Sequence, residues 1–110
     1  IMHVVVIRRE LYERDRWIAM ALFKAFTAAQ RYAYDDYRQT AALKSMLPWS
    51  WAESETTRAL MGDEWWPYGV ARNGAVLETF TRYHHRQGLS PQQLAVRDLF
   101  APETLEAFKI

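Results

Sequence analysis

The sequence predicts a mainly α fold with one N-terminal β-strand. Three observations carry this expectation. Val4-Val5-Val6-Ile7 is a β-branched run, with the length and composition of a short strand. No second run of comparable β character follows it. Instead, apolar or small residues recur at Ile18, Leu22, Phe26, Ala29, Ala33 and Tyr37, which is the spacing of one helical face.

The strand is expected over about residues 3–8. Its apolar residues are continuous and do not alternate, which predicts burial on both faces, as in a mainly parallel sheet. A solitary strand leaves its ladder groups unpaired, so its partners are expected outside these 110 residues. Because the first residue is Ile1 and not Met, the expectation is a C-terminal fragment forming a single unit over 1–110. A long helix follows over about residues 16–38, and Trp17, Ala21 and Phe23 widen its stripe enough to predict cover on more than one side. A shorter helical stretch, Ala41 to Leu47, stops at Pro48. Ser50 and Glu53 have the spacing of a capping box, opening a helix that runs to Met61 and ends at Gly62. Asp63-Glu64-Trp65-Trp66-Pro67-Tyr68-Gly69 reads as an aromatic loop. Asn73 is expected to cap a further helix, with Val76, Leu77, Phe80 and Tyr83 inward and Gly88 as terminator. Pro91 and Pro102 are expected to open two short helices that carry the chain to residue 110.

Composition excludes several functions. Half of the 110 residues are hydrophobic, 15% are aromatic, and only four Gly and four Pro occur, which is a globular and not a disordered composition. Fourteen basic against thirteen acidic residues leave a formal charge of +1, so no nucleic-acid partner is expected. The absence of Cys removes disulfides, thiolate zinc sites and cysteine nucleophiles. The apolar run Trp17 to Phe23 is far too short to span a membrane. Arg8 and Arg9 follow the first apolar stretch where a secretory leader would place small residues, so no signal peptide is expected.

Five residues stand out as site candidates. His3 stands at the entrance to the expected strand, as a structural histidine or as a proton donor at a cleft edge. Arg8 lies where that strand would end, the place where ligands of α/β proteins collect, and Arg can grip a carboxylate with two parallel hydrogen bonds. Eleven of the fourteen basic residues are Arg, which weakens the signal of any single one. Trp66 and Tyr68 belong to a loop that either lines a pocket or folds back on its own aromatics. Asn73 would mark a helix start favourable to an anion. His84 and His85 are about 100° apart around a helix, so they do not share a metal on their own, and no metal site is expected.

Larger blocks of sequence resemble a known family. These are Ile1 to Arg9, Met46-Leu47-Pro48-Trp49, Leu60-Met61-Gly62-Asp63 and Trp66-Pro67-Tyr68-Gly69. Tyr83-His84-His85 with Gln87-Gly88-Leu89-Ser90, and Leu99 to Leu105 with Phe108-Lys109-Ile110, complete the set. Together they are similar to the C-terminal part of 4,5-dihydroxyphthalate decarboxylases. The resemblance implies a two-lobed, type 2 periplasmic-binding-protein-like α/β fold, of which this chain would be the C-terminal part, missing its N-terminal lobe. It implies a bacterial lyase of phthalate degradation that removes one carboxylate from 4,5-dihydroxyphthalate and yields 3,4-dihydroxybenzoate. No organic cofactor is implied. The isolated fragment is expected to be inactive.

That chemistry needs a general acid, a holder for the second carboxylate and a dry aromatic wall. His3 is expected as the acid or a hydroxyl contact, Arg8 as the carboxylate partner, Trp66 as wall and Tyr68 as hydrogen-bond donor, with Asn73 at the anion-favouring helix start. These roles follow from residue chemistry and are not carried over from the family. The alternative is a solute receptor of the ABC type that binds a small aromatic or sulfonated acid without chemistry. The decarboxylase reading implies a cytoplasmic protein and the receptor reading a periplasmic one. An unpaired strand edge also predicts strand exchange between copies, hence a homo-oligomer.

Overall fold

The computed structural model describes residues 3–106. Expectations about Ile1, Met2 and the segment 107–110 lie outside the described residues. The chain divides into two compact units, one of residues 1–23 with 68–110 and one of residues 24–67.

Among the described residues there are helices and no strand. In unit 1, residues 3–8 run as irregular backbone into α1 (Arg9–Arg14), which corrects the strand expected there. The physical reason lies in the expectation itself. A strand is defined by a neighbour's hydrogen bonds, and the described residues offer Val4–Ile7 no other β segment. Val4, Val5 and Val6 are 60%, 61% and 85% exposed.

The long helix is present as α2 (Trp17–Arg38), matching the spacing that predicts it. Its expected cover is not. Only Ala19 is buried along it, while Trp17, Phe26 and Tyr37 are exposed. Residues up to Phe23 belong to unit 1 and those from Lys24 to unit 2.

Helix α4 (Val70–Arg86) belongs to unit 1 and buries Leu77 and Thr81. It begins at Val70, after Gly69, so Asn73 lies inside its first turn and is not its cap. The Asn73 side-chain amide instead donates to the Gly69 carbonyl at 2.9 Å. Gly69 starts the helix because its φ is +90°, a left-handed conformation open to glycine. A Cβ there would also stand 2.9 Å from Phe23 Cζ. The inward face differs from the expected one. Leu77 and Thr81 are buried, whereas Val76, Phe80 and Tyr83 are exposed. At the C-terminus, the Leu89 N–H donates to the His84 carbonyl and the Gly88 N–H to the His85 carbonyl. This is a Schellman motif with the expected glycine, Gly88, at φ +76°.

After α4 the chain forms two 3-10 turns, Val96–Asp98 and Pro102–Thr104. Pro102 occupies a first-turn position, as expected, but Pro91 opens no helix. The first of these turns packs against α4.

Unit 2 contains the rest of α2 and α3 (Ser50–Met61). Helix α3 follows Trp49, makes no side-chain capping bond and buries none of its residues. Its capping box is therefore unformed, although it does end at Gly62, φ +88°. The stretch 41–47 is not helical. The Leu47 N–H donates to Ser45 Oγ at 3.2 Å, a local alternative to a helical bond, and Pro48 disfavours helical backbone at Leu47.

Candidate functional site

A concave feature of unit 1 lies beside α4. It is an open cleft of about 210 Å³ lined by Phe80, Thr81 and His84 from the helix and by Ser90, Leu94 and Leu99 from the segment that follows. The Schellman turn directs that segment back along α4, and this creates the cleft. Its two hydroxyls are already used within the chain. Thr81 Oγ1 donates to the Glu78 carbonyl at 3.1 Å and Ser90 Oγ to the Gln92 carbonyl at 2.9 Å. His84 is the titratable side chain among the lining residues, half-buried and 5.7 Å from the Phe80 ring centroid. Next to it, His85 Nδ1 lies 3.1 Å from the Ser90 carbonyl. A carbonyl only accepts, so His85 carries its proton on Nδ1 and, when neutral, presents Nε2 as an acceptor. The volume is below the roughly 300–1,000 Å³ of ordinary ligand pockets, and no arginine lines it. The cleft fits one apolar ring edge and one polar contact, and it lacks a carboxylate clamp.

Tyr12 and Glu103 form a polar link within unit 1. The Tyr12 hydroxyl donates to Glu103 Oε2 at 2.8 Å, joining α1 to the final 3-10 turn. Arg16 lies over the Tyr12 ring, 5.6 Å from its centroid. The Glu103 bond, followed by partial burial, raises the Tyr12 pKa above its ordinary value. Glu103 shifts downward, first through a hydrogen bond from its own backbone N–H and then through Tyr12.

In unit 2 the aromatic loop folds back on α2. The Trp65 ring lies 4.6 Å from that of Tyr34, tilted by 47°. The Trp66 N–H donates to the Tyr34 hydroxyl at 3.0 Å, and the Gln30 amide donates to the Trp66 carbonyl. A second cleft, of about 220 Å³, is lined by Asp36, Tyr37 and Lys44 among others. There the Lys44 ammonium lies 2.6 Å from Asp36, so its charge is already neutralised.

The sequence-predicted residues are not assembled into one site. His3 and Arg8 are exposed on irregular backbone of unit 1. Tyr68 is 39% exposed and also in unit 1, whereas Trp66, 53% exposed, belongs to unit 2. Asn73 turns to the Gly69 carbonyl. Among the described residues, no three His, Asp or Glu side chains gather as a metal site. No helix there is long and apolar enough to cross a membrane. His84 is the residue that sequence reasoning passed over. Its signal was its place three residues after Thr81 and seven after Leu77, on the buried face of α4.

Comparison with known proteins adds a likeness that the geometry does not give. The chain is 38% identical over all 110 residues to the 4,5-dihydroxyphthalate decarboxylase of Comamonas testosteroni. It is similar to a decarboxylase throughout. It spans 33% of that decarboxylase's length. No protein-family model matches the chain.

Proposed function

We propose that this chain is the C-terminal segment of a carbon-carbon lyase that converts 4,5-dihydroxyphthalate to 3,4-dihydroxybenzoate and carbon dioxide. The observation that carries the reading is the 38% identity extending over every residue of the chain. The exposed apolar face of residues 4–6 supports a larger body, in our reading a type 2 periplasmic-binding-protein-like fold completed by polypeptide outside this sequence. An isolated segment with an unassembled site is inactive on this account.

The reaction follows from the substrate. A ring hydroxyl para to one carboxylate donates electron density through the ring, and the carbon bearing that carboxylate accepts a proton. The carbon then becomes tetrahedral, its bond to the carboxylate breaks, and the electron pair returns to the ring as carbon dioxide leaves. Atoms and charge balance with one proton gained and no oxidant. Unit 1 supplies groups of the right kinds: His3 as general acid, Arg8 as partner of the surviving carboxylate, Tyr68 as hydroxyl donor and Asn73 as an amide at the start of α4. General acid catalysis contributes about 10²–10⁴-fold, so His3→Ala should lower kcat by that factor.

The test assays the polypeptide that carries these residues with 4,5-dihydroxyphthalate, following 3,4-dihydroxybenzoate by chromatography. Turnover that falls about 100-fold or more in His3→Ala, and less than tenfold in His84→Ala, supports both the reaction and the acid. Turnover lost only in His84→Ala moves the acid to the α4 cleft. Saturable binding without product refutes the lyase.

A further inference from the structure

We infer that Asn73 is a modification site, which loses its side-chain nitrogen as ammonia to water at a rate set by opening of the first turn of α4. Asn73 is the sole asparagine of the sequence, and Gly74 follows it. Asparagine is among the thermolabile residues, and a glycine after it removes two obstacles. Glycine carries no side chain to hinder attack by its own backbone nitrogen, and it lets the backbone turn freely. The Gly74 nitrogen gives its proton to solvent and forms a bond to the Asn73 Cγ. The Cγ–Nδ2 bond breaks, ammonia leaves with a proton taken from water, and a five-membered imide remains. Water then opens either carbonyl of the imide, leaving an aspartate or its β-linked isomer in place of the asparagine. Nothing is oxidised or reduced.

The fold controls this step through two bonds. In an α-helix each N–H is held by the carbonyl four residues back, which for Gly74 in α4 is that of Val70. The Asn73 amide donates to the Gly69 carbonyl at 2.9 Å, so it is held toward the N-terminal end and away from the Gly74 nitrogen. Both bonds must open before Cγ is attacked. Little resists that opening. The residues that α4 buries, Leu77 and Thr81, lie beyond its first turn, and Gly69 offers no side chain as a cap. Glycine inside a helix costs more than any ordinary residue except proline. A Cβ at Gly74 would meet nothing within 4 Å, so no other segment packs over the reacting pair. Such a turn belongs to the low end of local opening energies. The product reverses the local chemistry, because a carboxylate accepts and does not donate. Its oxygen faces the Gly69 carbonyl as a second acceptor, and the β-linked isomer adds a backbone carbon that interrupts the helix. One consequence rests on the function proposed above: a new negative charge at position 73 repels a dicarboxylate and raises KM.

The test stores the polypeptide that carries this chain at mildly alkaline pH, native and in guanidinium chloride. Mass spectrometry then follows conversion of the peptide that contains Asn73. Conversion about 10- to 100-fold slower in the native protein than in the unfolded one is the expected result for a turn that opens locally. Equal rates would show that the turn controls nothing, and overturn the inference. Native conversion slowed more than about 1,000-fold would mean that the first turn does not open by itself, and overturns it too. Gly69→Ala strains the helix start and should speed native conversion about fivefold or more, whereas Gly62→Ala, equally strained in α3, should leave it within about twofold. Equal effects of the two would point to global unfolding and contradict the assignment. Gly74→Ala should slow conversion in both states. The mass is read without substrate, so conversion that leaves KM unchanged defeats only the role of Asn73 in substrate binding.

Discussion

Two glycines with nearly the same backbone conformation do different work. Gly62 and Gly69 have φ of +88° and +90°, so alanine is strained at both, by about 1–2 kcal/mol. At Gly62 the added Cβ meets open space, whereas at Gly69 it meets the Phe23 ring at 2.9 Å. Gly69→Ala should therefore lower stability by about 1 kcal/mol or more beyond Gly62→Ala, read from paired urea titrations. Equal losses would mean that the Phe23 ring moves aside freely. The Tyr12–Glu103 bond makes a prediction with two signs. The Glu103 pKa is depressed, so its contribution exists above the unfolded value of about 4.3 and disappears as pH falls through the folded one. The Tyr12 pKa is raised, so its contribution exists below about 10 and disappears as pH rises through the folded value. Tyr12→Phe should lower Tm across the neutral range, with the gap from the parent protein closing at both extremes. A gap constant with pH would show that the bond does not form.

Helix α4 buries Leu77 and Thr81, and its face shows how far sequence reaches. Period and terminator were legible: the 3.6-residue spacing gave α2 and α4, and Gly62 and Gly88 ended the helices expected to end there. The inward face of α4 was not legible, because Val76, Phe80 and Tyr83 are as apolar as Leu77 and nothing local ranks them. What ranks them is the body that covers the helix. The Leu77 side chain is buried while Phe80 remains exposed, so Leu77→Ala should cost about 2–4 kcal/mol and Phe80→Ala clearly less within this chain. In a longer polypeptide that carries this chain, a Phe80→Ala loss that matches the Leu77 loss would show that Phe80 becomes covered there. The site was less legible than the helices. His3 and Arg8 stand out in the sequence for flanking a strand, and among the described residues no strand forms there. His84 was passed over because two adjacent histidines were weighed as a metal pair and not as one inward and one tethered ring.

At the scale of the whole chain, the described residues bury only Ala19, Leu77 and Thr81. Hydrophobic burial is the main favourable term in folding, and so little of it predicts weak cooperativity for the 110 residues alone. Heating the isolated chain should give a broad transition and strong binding of a hydrophobic dye. A sharp transition would show that its own contacts suffice. The central claim is the reaction, and it is tested most directly by running turnover of 4,5-dihydroxyphthalate in heavy water with the polypeptide that carries this chain. The account predicts 3,4-dihydroxybenzoate carrying a single deuterium on the ring carbon next to the one bearing the surviving carboxylate. Recovery of intact 4,5-dihydroxyphthalate from a protein that binds it would contradict the account.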